Sequence, residues 1–473
     1  MVVTKRKAEF TEGKIFSKIL LFVLPIVATN LLQAFYNAAD MMVVSLSDEA
    51  NAVGAVGTTG SFISLIINIF IGFSVGANVV VARNIGANDE ESTQKAVHTA
   101  LLVGLFFGVV GAAVGIIVSR PLLQSMGNTG NLLDLAVTYT YYYFAGVPFM
   151  ALTNYLISIF RAKGDSKTPL IVLSAAGFVN VGLNLFFVLV VKFSVEGVAL
   201  ATSIANFLSF VVLLVKLKKD KDSTSFSLKK LKVDKKALKD IVFIGFPAAI
   251  QSALFAISNI LIQSSIITVN NSLCPPDSEY QPIVNGCAAG ANLTNFVYTA
   301  QNAVYQGAIT CTSQNIGARK PKRIYPIMGW CCLLVTSIGL SLGGLIFFCK
   351  EPLLALYGVA SGAEGSLEEL AMYAATTQLT YMCLSYFLCG IMEVGAGVLR
   401  GLGKSFLSMI ISLFGACLLR VVWLWTVFPL YPTLEIIYMS YSITWILTAL
   451  ALFISIFLLL SKIIKRENNR KLE

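Results

Sequence analysis

Charge is scarce in this chain: Asp, Glu, Lys and Arg make up 13% of its 473 residues, against about 25% in an ordinary soluble protein. No soluble core needs the accompanying 56% of hydrophobic residues and a mean hydropathy of +0.77. Histidine occurs once, at His98, with no cluster of ligand residues beside it, which argues against a structural or catalytic zinc site. Nine cysteines are too few for a disulfide scaffold of this length. The 11% aromatic content excludes a disordered chain. A phosphate-binding loop is lacking too. Gly403-Lys404-Ser405 imitates its end, but Val398 stands where the first glycine belongs and no strand precedes it, so an ATPase is not indicated. No nucleophile–base arrangement can be read.

What the chain does have is a series of long apolar runs separated by short polar breaks. A helix crossing the hydrocarbon layer needs roughly 20 such residues. Spans are expected near 18–45, 52–82, 97–118, 132–160, 169–191, 197–215, 241–268, 288–313, 326–349, 369–399, 405–427 and 433–461. The fold class is therefore an all-α integral membrane protein with twelve transmembrane helices. Basic residues orient it. Of the 35 Lys and Arg, 31 fall in the segments on one side, three (Arg120, Lys192, Lys350) on the other, and Arg420 lies inside a span. The positive-inside rule then places both termini in the cytoplasm of a multi-pass cell-membrane protein. The net charge of +10 reflects this topology, with some attraction of the Lys216–Lys239 segment to anionic lipid, and not nucleic-acid binding. The basic leader is followed by an apolar stretch too long for a signal peptide and containing Asp40, so the first span is expected to be retained.

The chain also resembles itself. Pro25 and Pro247, like Asn37 and Asn259, are 222 apart. Asn84-Ile85-Gly86-Ala87 recurs as Asn315-Ile316-Gly317-Ala318, and Arg120-Pro121-Leu122-Leu123 is echoed by Glu351-Pro352-Leu353-Leu354, both 231 apart. Arg161-Ala162-Lys163-Gly164 aligns with Arg400-Gly401-Leu402-Gly403 at 239. The offset grows only in outer breaks, as insertions require. Two six-helix lobes follow, related by a pseudo-two-fold axis along the membrane normal because six is even. The boundaries are a leader at 1–17, an N-lobe at 18–215, a basic linker at 216–240, a C-lobe at 241–461 and a tail at 462–473.

Ionisable groups at membrane depth are costly and mark function by default. Asp40 lies in the outer half of the first span, with Tyr36 one turn away and Asn37 beside it. Burial disfavours a charged carboxyl, so Asp40 suits proton uptake and release; the alternative is a buried Asp satisfied by polar partners for packing. Glu393 lies two turns before Arg400 and corresponds to Asn154 in the first half. It is a candidate cation ligand, with Gln251, Asn259 and Gln263 of the seventh span as further oxygen donors, or else a partner of a basic group or of a neighbouring helix. Arg420 could hold such a carboxylate or a substrate anion, or snorkel to the interface beside Trp423 and Trp425. Tyr139, Tyr141, Tyr142 and Tyr143 with Phe35 could line a cavity for flat cations. Cys274 and Cys287 lie in an outer loop and suggest a disulfide closing a 14-residue loop. Asn270-Asn271-Ser272 and Asn292-Leu293-Thr294 are sequons, used only in a glycosylating host.

Several stretches carry a family likeness: Leu31-Leu32-Gln33-Ala34-Phe35-Tyr36-Asn37-Ala38-Ala39-Asp40, Gly72-Phe73-Ser74-Val75-Gly76-Ala77, Asn84-Ile85-Gly86-Ala87, Leu399-Arg400-Gly401-Leu402-Gly403 and Arg420-Val421-Val422-Trp423. In this order they resemble the prokaryotic-type branch of the multidrug and toxic compound extrusion (MATE) transporters. The likeness implies a two-lobed exporter, working as a monomer without cofactor, that exchanges cationic amphiphiles for protons or sodium ions. It also implies that Asn154, Asn180, Asn184 and Thr202 surround Asp40, and that C-lobe carboxylates take part in sodium or cationic-substrate binding. The chain departs from the family where Val44-Ser45-Leu46-Ser47-Asp48-Glu49 replaces a Gly-Arg turn and where Asn184 replaces a common carboxylate. Proton-coupled export through Asp40 is the expected function. Its rivals are a sodium-coupled exporter of the same fold, a lipid or oligosaccharide flippase, for which Arg420 alone supplies too little positive charge, and an intramembrane enzyme.

Overall fold

A computed structural model describes residues 10–47, 49, 51–126, 128–274, 281–363 and 366–469. Pro275-Pro276-Asp277 of the outer loop, Asp48 and the ends of the leader and tail lie outside these residues. Fourteen α-helices make up the described chain, and no strand occurs in it. They are α1 (Ile15–Val44), α2 (Ala52–Gly86), α3 (Glu90–Ser125), α4 (Gly130–Ala162), α5 (Lys167–Leu185), α6 (Val195–Lys219) and α7 (Lys235–Leu273), then α8 (Pro282–Gly317), α9 (Ile324–Phe348), α10 (Lys350–Ala355), α11 (Leu367–Gly401), α12 (Ser405–Ser412), α13 (Leu419–Thr426) and α14 (Leu434–Asn469). Eleven helical segments are long and apolar enough to cross a membrane. The span expected at 288–313 is present as α8, 36 residues long, but Asn292, Asn295, Gln301, Asn302 and Gln306 dilute its apolar character.

Local sequence explains where helices start and stop. Asp89 accepts the Ser92 amide at 2.9 Å, and Ser366 accepts that of Glu369 at 3.1 Å, so α3 and α11 begin on side-chain caps followed by acidic first turns. The duplicated motifs end helices in duplicated ways. Asn88 and Arg319, at the same offset as the tetrapeptides before them, have φ of 55° and 56°. Asp89 N–H reaches Asn84 C=O as Lys320 N–H reaches Asn315 C=O. Gly164 and Gly403 repeat the device with φ of 87° and 76°. Each is a helix end closed by a left-handed residue, a conformation that glycine takes without steric cost. The internal repeat is thus visible in backbone geometry as well as in sequence.

Two helices slip into π geometry, at Phe186–Val190 after α5 and at Leu413–Leu418 between α12 and α13. Such turns collect at functional positions.

The chain divides into two compact units, residues 1–252 with 313–320, and residues 253–312 with 321–473. In the first, α4 packs against α2, α3 and α6, with Phe144, Tyr155, Leu156 and Phe160 fully buried. The end of α8 joins this unit through its repeated motif: a Cβ on Gly86 would stand 2.0 Å from the Gln314 carbonyl oxygen, and one on Gly317 would stand 1.9 Å from that of Arg83. The two tetrapeptides are pressed against each other, backbone to backbone. In the second unit α11 packs between α9 and α14, its buried face running from Ala371 to Gly401.

Candidate functional site

Five helices of the first unit enclose a cavity of about 280 Å³. From α1 come Gln33, Tyr36, Asn37 and Asp40; from α4 Tyr143, Thr153 and Asn154; from α5 Asn180; from α6 Thr202, Asn206 and Ser209. Ile67 and Ile71 of α2, with Met150, Ile157, Leu173 and Ala176, supply the apolar wall. Among the described residues lining it, Asp40 is the one that can carry a charge near neutrality, and no Lys, Arg or His is present.

Asp40 is held by a chain of side chains. Asn184 Nδ2 donates to Asp40 Oδ1 at 2.5 Å and to Asn180 Oδ1 at 3.3 Å. Asn180 in turn donates to Thr202 Oγ1 at 3.3 Å, and Thr202 donates to the Val198 carbonyl at 3.0 Å. One network therefore joins α1, α5 and α6. Both asparagines are buried, where unmade hydrogen bonds are expensive. Tyr36 donates to the Ser174 carbonyl at 3.1 Å and lies flat where α5 has Gly177, whose Cβ would stand 1.9 Å from the ring. Asn154 donates to the Met150 carbonyl at 3.1 Å, leaving its side-chain oxygen available to the cavity.

All seven expected first-half residues are thus brought together, Asn184 behind the wall and the other six on it. Gln33, Thr153, Asn206 and Ser209 were missed. The signal existed, since Gln33 shares the face of Tyr36, Asn37 and Asp40, and Asn206 and Ser209 continue the stripe of Thr202. Of the aromatics expected to line a cavity, Tyr143 does. Tyr139 is buried in the core cluster, and Tyr141, Tyr142 and Phe35 are exposed and do not line it.

The second-half candidates are spread over both units. Glu393 is half-buried on α11, one turn after Cys389. Gln251 is buried within the first unit, whereas Asn259 and Gln263 are exposed. Arg420 does not snorkel, and it pairs with no carboxylate among the described residues. Its guanidinium lies 3.8 Å from the Tyr441 ring centroid and donates to Thr444 Oγ1 at 3.3 Å, and the residue is 3% exposed. Trp423 is tied to the Ile436 carbonyl at 3.0 Å, while Trp425 is exposed. An aromatic partner 21 positions along the chain thus takes the role that the interface was expected to play. The Cys274–Cys287 disulfide is also not formed: both are buried thiols, Cys274 Sγ lying 3.9 Å from Asn270 Oδ1 and Cys287 hydrogen-bonding Tyr438. Asn270, which also accepts the Ile283 amide at 3.2 Å, ties the two ends of this loop instead.

Comparison with known proteins agrees with this fold. The MatE family model matches residues 25–186 and 281–426. A probable multidrug resistance protein of Bacillus subtilis (strain 168), YoeA, is 28% identical over 422 residues, covering 87% of this chain and 86% of that one. The multidrug export protein MepA of Staphylococcus aureus (strain MRSA252) is 24% identical over 253 residues, 54% of this chain and 56% of that one. Among solved structures, an outward-facing multidrug resistance MATE transporter of the MOP superfamily superposes with a TM-score of 0.87 at 20% identity, covering 98% of this chain and 100% of that one. A MOP superfamily transporter from Pyrococcus furiosus gives the same score at 20% identity over 98% and 99%, and is described as having a binding pocket of reversed polarity. Matched by the family model over more than half its length, and carrying the family's all-helical fold, the chain belongs to the MatE family: it is a multi-pass membrane transporter of the multidrug efflux type.

Proposed function

We propose that this protein exports small organic cations in exchange for protons, with Asp40 as the group that both ligands contest. The observation that carries the reading is the single carboxyl in a cavity otherwise lined by amides, hydroxyls, an aromatic face and aliphatic groups. An ionised Asp40 attracts an ammonium centre in surroundings that screen it poorly. A protonated Asp40 offers no such charge, so proton entry favours release. Binding of the two is mutually exclusive at one side chain, the minimum that an antiporter requires. Alternating access between the membrane faces completes the cycle, both termini lie in the cytoplasm by the positive-inside rule, and no cofactor beyond the ion gradient is needed. An intramembrane enzyme would call for paired catalytic groups at one depth, and Asp40 has amides for neighbours.

The test is flux of an organic cation dye in proteoliposomes under an imposed pH or sodium gradient, comparing the wild type with Asp40→Asn. Flux that follows the pH gradient and is lost in the variant is the expected result. Sodium-driven flux that survives the substitution would move the ion site to Glu393. Absence of flux under both gradients would overturn the substrate class.

A further inference from the structure

The basic segment between α6 and α7 is a strap stapled along one edge. Asp220 pairs with the buried Lys163, which also lies 3.9 Å from Asp222. Phe226 is buried, stacks on His98 with centroids 5.6 Å apart and donates its amide to the Leu217 carbonyl. The Ser227 amide donates to His98 Nε2 at 3.1 Å, Lys230 Nζ donates to Gln94 Oε1 at 2.9 Å, and the Asp234 amide donates to Thr99 Oγ1 at 3.0 Å. The chain's one histidine thus has a structural place, as a clasp on α3. Between these ties the chain stands open: Leu228, Leu231 and Val233 are 70%, 37% and 43% exposed, interleaved with the exposed Lys229, Lys232 and Lys235. No acidic residue stands between Asp222 and Asp234. Those two are engaged elsewhere: Asp222 accepts from Thr224, and Asp234 accepts the Ala237 amide at the start of α7.

Exposed apolar side chains, interleaved with lysines that make no ion pair among the described residues, form the pattern of a membrane-surface segment, apolar groups seated at the headgroup level and ammonium groups on phosphate. The location fits. The strap begins and ends at membrane-spanning helices and is clasped to the first turns of a third, so it lies within a few residues of the bilayer surface. It belongs to the basic side that the charge distribution assigns to the cytoplasm, where the leaflet is anionic. We propose that the outer edge of residues 228–235 binds the anionic lipid surface of the inner leaflet, with Leu228, Leu231 and Val233 inserted and Lys229, Lys232 and Lys235 on headgroup phosphates. The proposal is independent of the transported substrate and ion.

The experiment is hydrogen exchange by mass spectrometry on the full chain in nanodiscs of phosphatidylcholine alone or mixed with phosphatidylglycerol. Exchange across 228–233 should slow in the anionic discs. The K229Q/K232Q/K235Q variant should lose that protection and K229R/K232R/K235R should keep it, each neutralised lysine weakening the interaction about fivefold. Raising salt should erase the difference. Equal exchange in the two lipids, or protection that survives neutralisation of the lysines, would overturn the proposal. Loss of protection in the arginine variant would do so as well.

Discussion

Asn184 Nδ2 stands 2.5 Å from Asp40 Oδ1, so the fifth helix holds the carboxyl of the first. The pairing departs from the family pattern noted in the sequence, where a carboxylate is common at this position. An amide can donate to an ionised Asp40 and, rotated, accept from a protonated one. It therefore serves both states of the carboxyl without adding a charge of its own. Asn184→Ala removes this partner, and hydrogen bonds to charged groups are worth about 1.5–3 kcal/mol. Proton-driven flux in proteoliposomes is expected to fall roughly ten- to a hundredfold per folded molecule. Unchanged flux would show that Asp40 works without α5.

Much of this arrangement was legible in the sequence. Asp40 stands out because a carboxyl in an apolar helix needs a reason, whereas Asn180 and Asn184 are picked out by the family resemblance. Gly164, Gly403 and the two Asn-Ile-Gly-Ala motifs were legible as repeats, and their role in ending helices emerges from the backbone. The partner of Arg420 was not, because Tyr441 lies on another helix and packing register leaves no local signature. The same holds for His98 and Ser227, 129 positions apart. The π turns were equally silent: a shift in hydrogen-bond register at Phe186–Val190 or Leu413–Leu418 is a response to packing rather than to composition.

Gly86 tests the close approach of the repeated motifs. Its Cβ would meet the Gln314 backbone at 2.0 Å, and a carbonyl cannot swing aside as a flexible side chain could. Gly86→Ala is expected to cost about 1–3 kcal/mol, the usual range for overpacking. Gly57→Ala on the same helix meets nothing within 4 Å and should stabilise by about 0.5–1 kcal/mol through helix propensity. Thermal unfolding in detergent should therefore move in opposite directions for the two alanines. Equal shifts would mean that the α2–α8 contact is not tight.

Lys163 is buried against Asp220 and Asp222. Removing one of two acceptors leaves a compensated cation, while removing both strands a charge. Asp220→Asn and Asp222→Asn should each lower stability modestly, by roughly 1 kcal/mol. The double variant should lose about 3 kcal/mol or more, a non-additive result that thermal unfolding reads directly. Lys163→Met in the double-variant background should restore part of the loss, because it removes the stranded charge.

Asp89 gives a pH dependence with a definite sign. The Ser92 backbone N–H, and after it the Ser92 hydroxyl, hold this carboxyl below its ordinary value. A depressed folded-state value means that the contribution to stability is present above the unfolded value of about 3.9 and is lost as pH falls through the folded one. The wild type should therefore melt above Asp89→Ala at neutral pH. The gap should close in acid as pH falls through the folded value. Asp89 is exposed, so the effect is small; a gap that widened on acidification would contradict the capping role.

Arg420 and Tyr441 offer the sharpest separation of charge from shape. A lysine at 420 keeps the positive charge but lacks the planar guanidinium that both lies over the ring and reaches Thr444. If charge alone mattered, Arg420→Lys would be nearly silent. If the stacked geometry matters, it should cost about 2 kcal/mol, the scale of a desolvated cation–π contact. Tyr441→Phe, which keeps the ring face, should be mild, and Tyr441→Leu should approach the cost of Arg420→Lys. Combining Arg420→Lys with Tyr441→Leu should add little beyond either alone, since both remove the same contact. Additive losses in thermal unfolding would show instead that Arg420 is held chiefly by Thr444 and that its place over the ring is incidental.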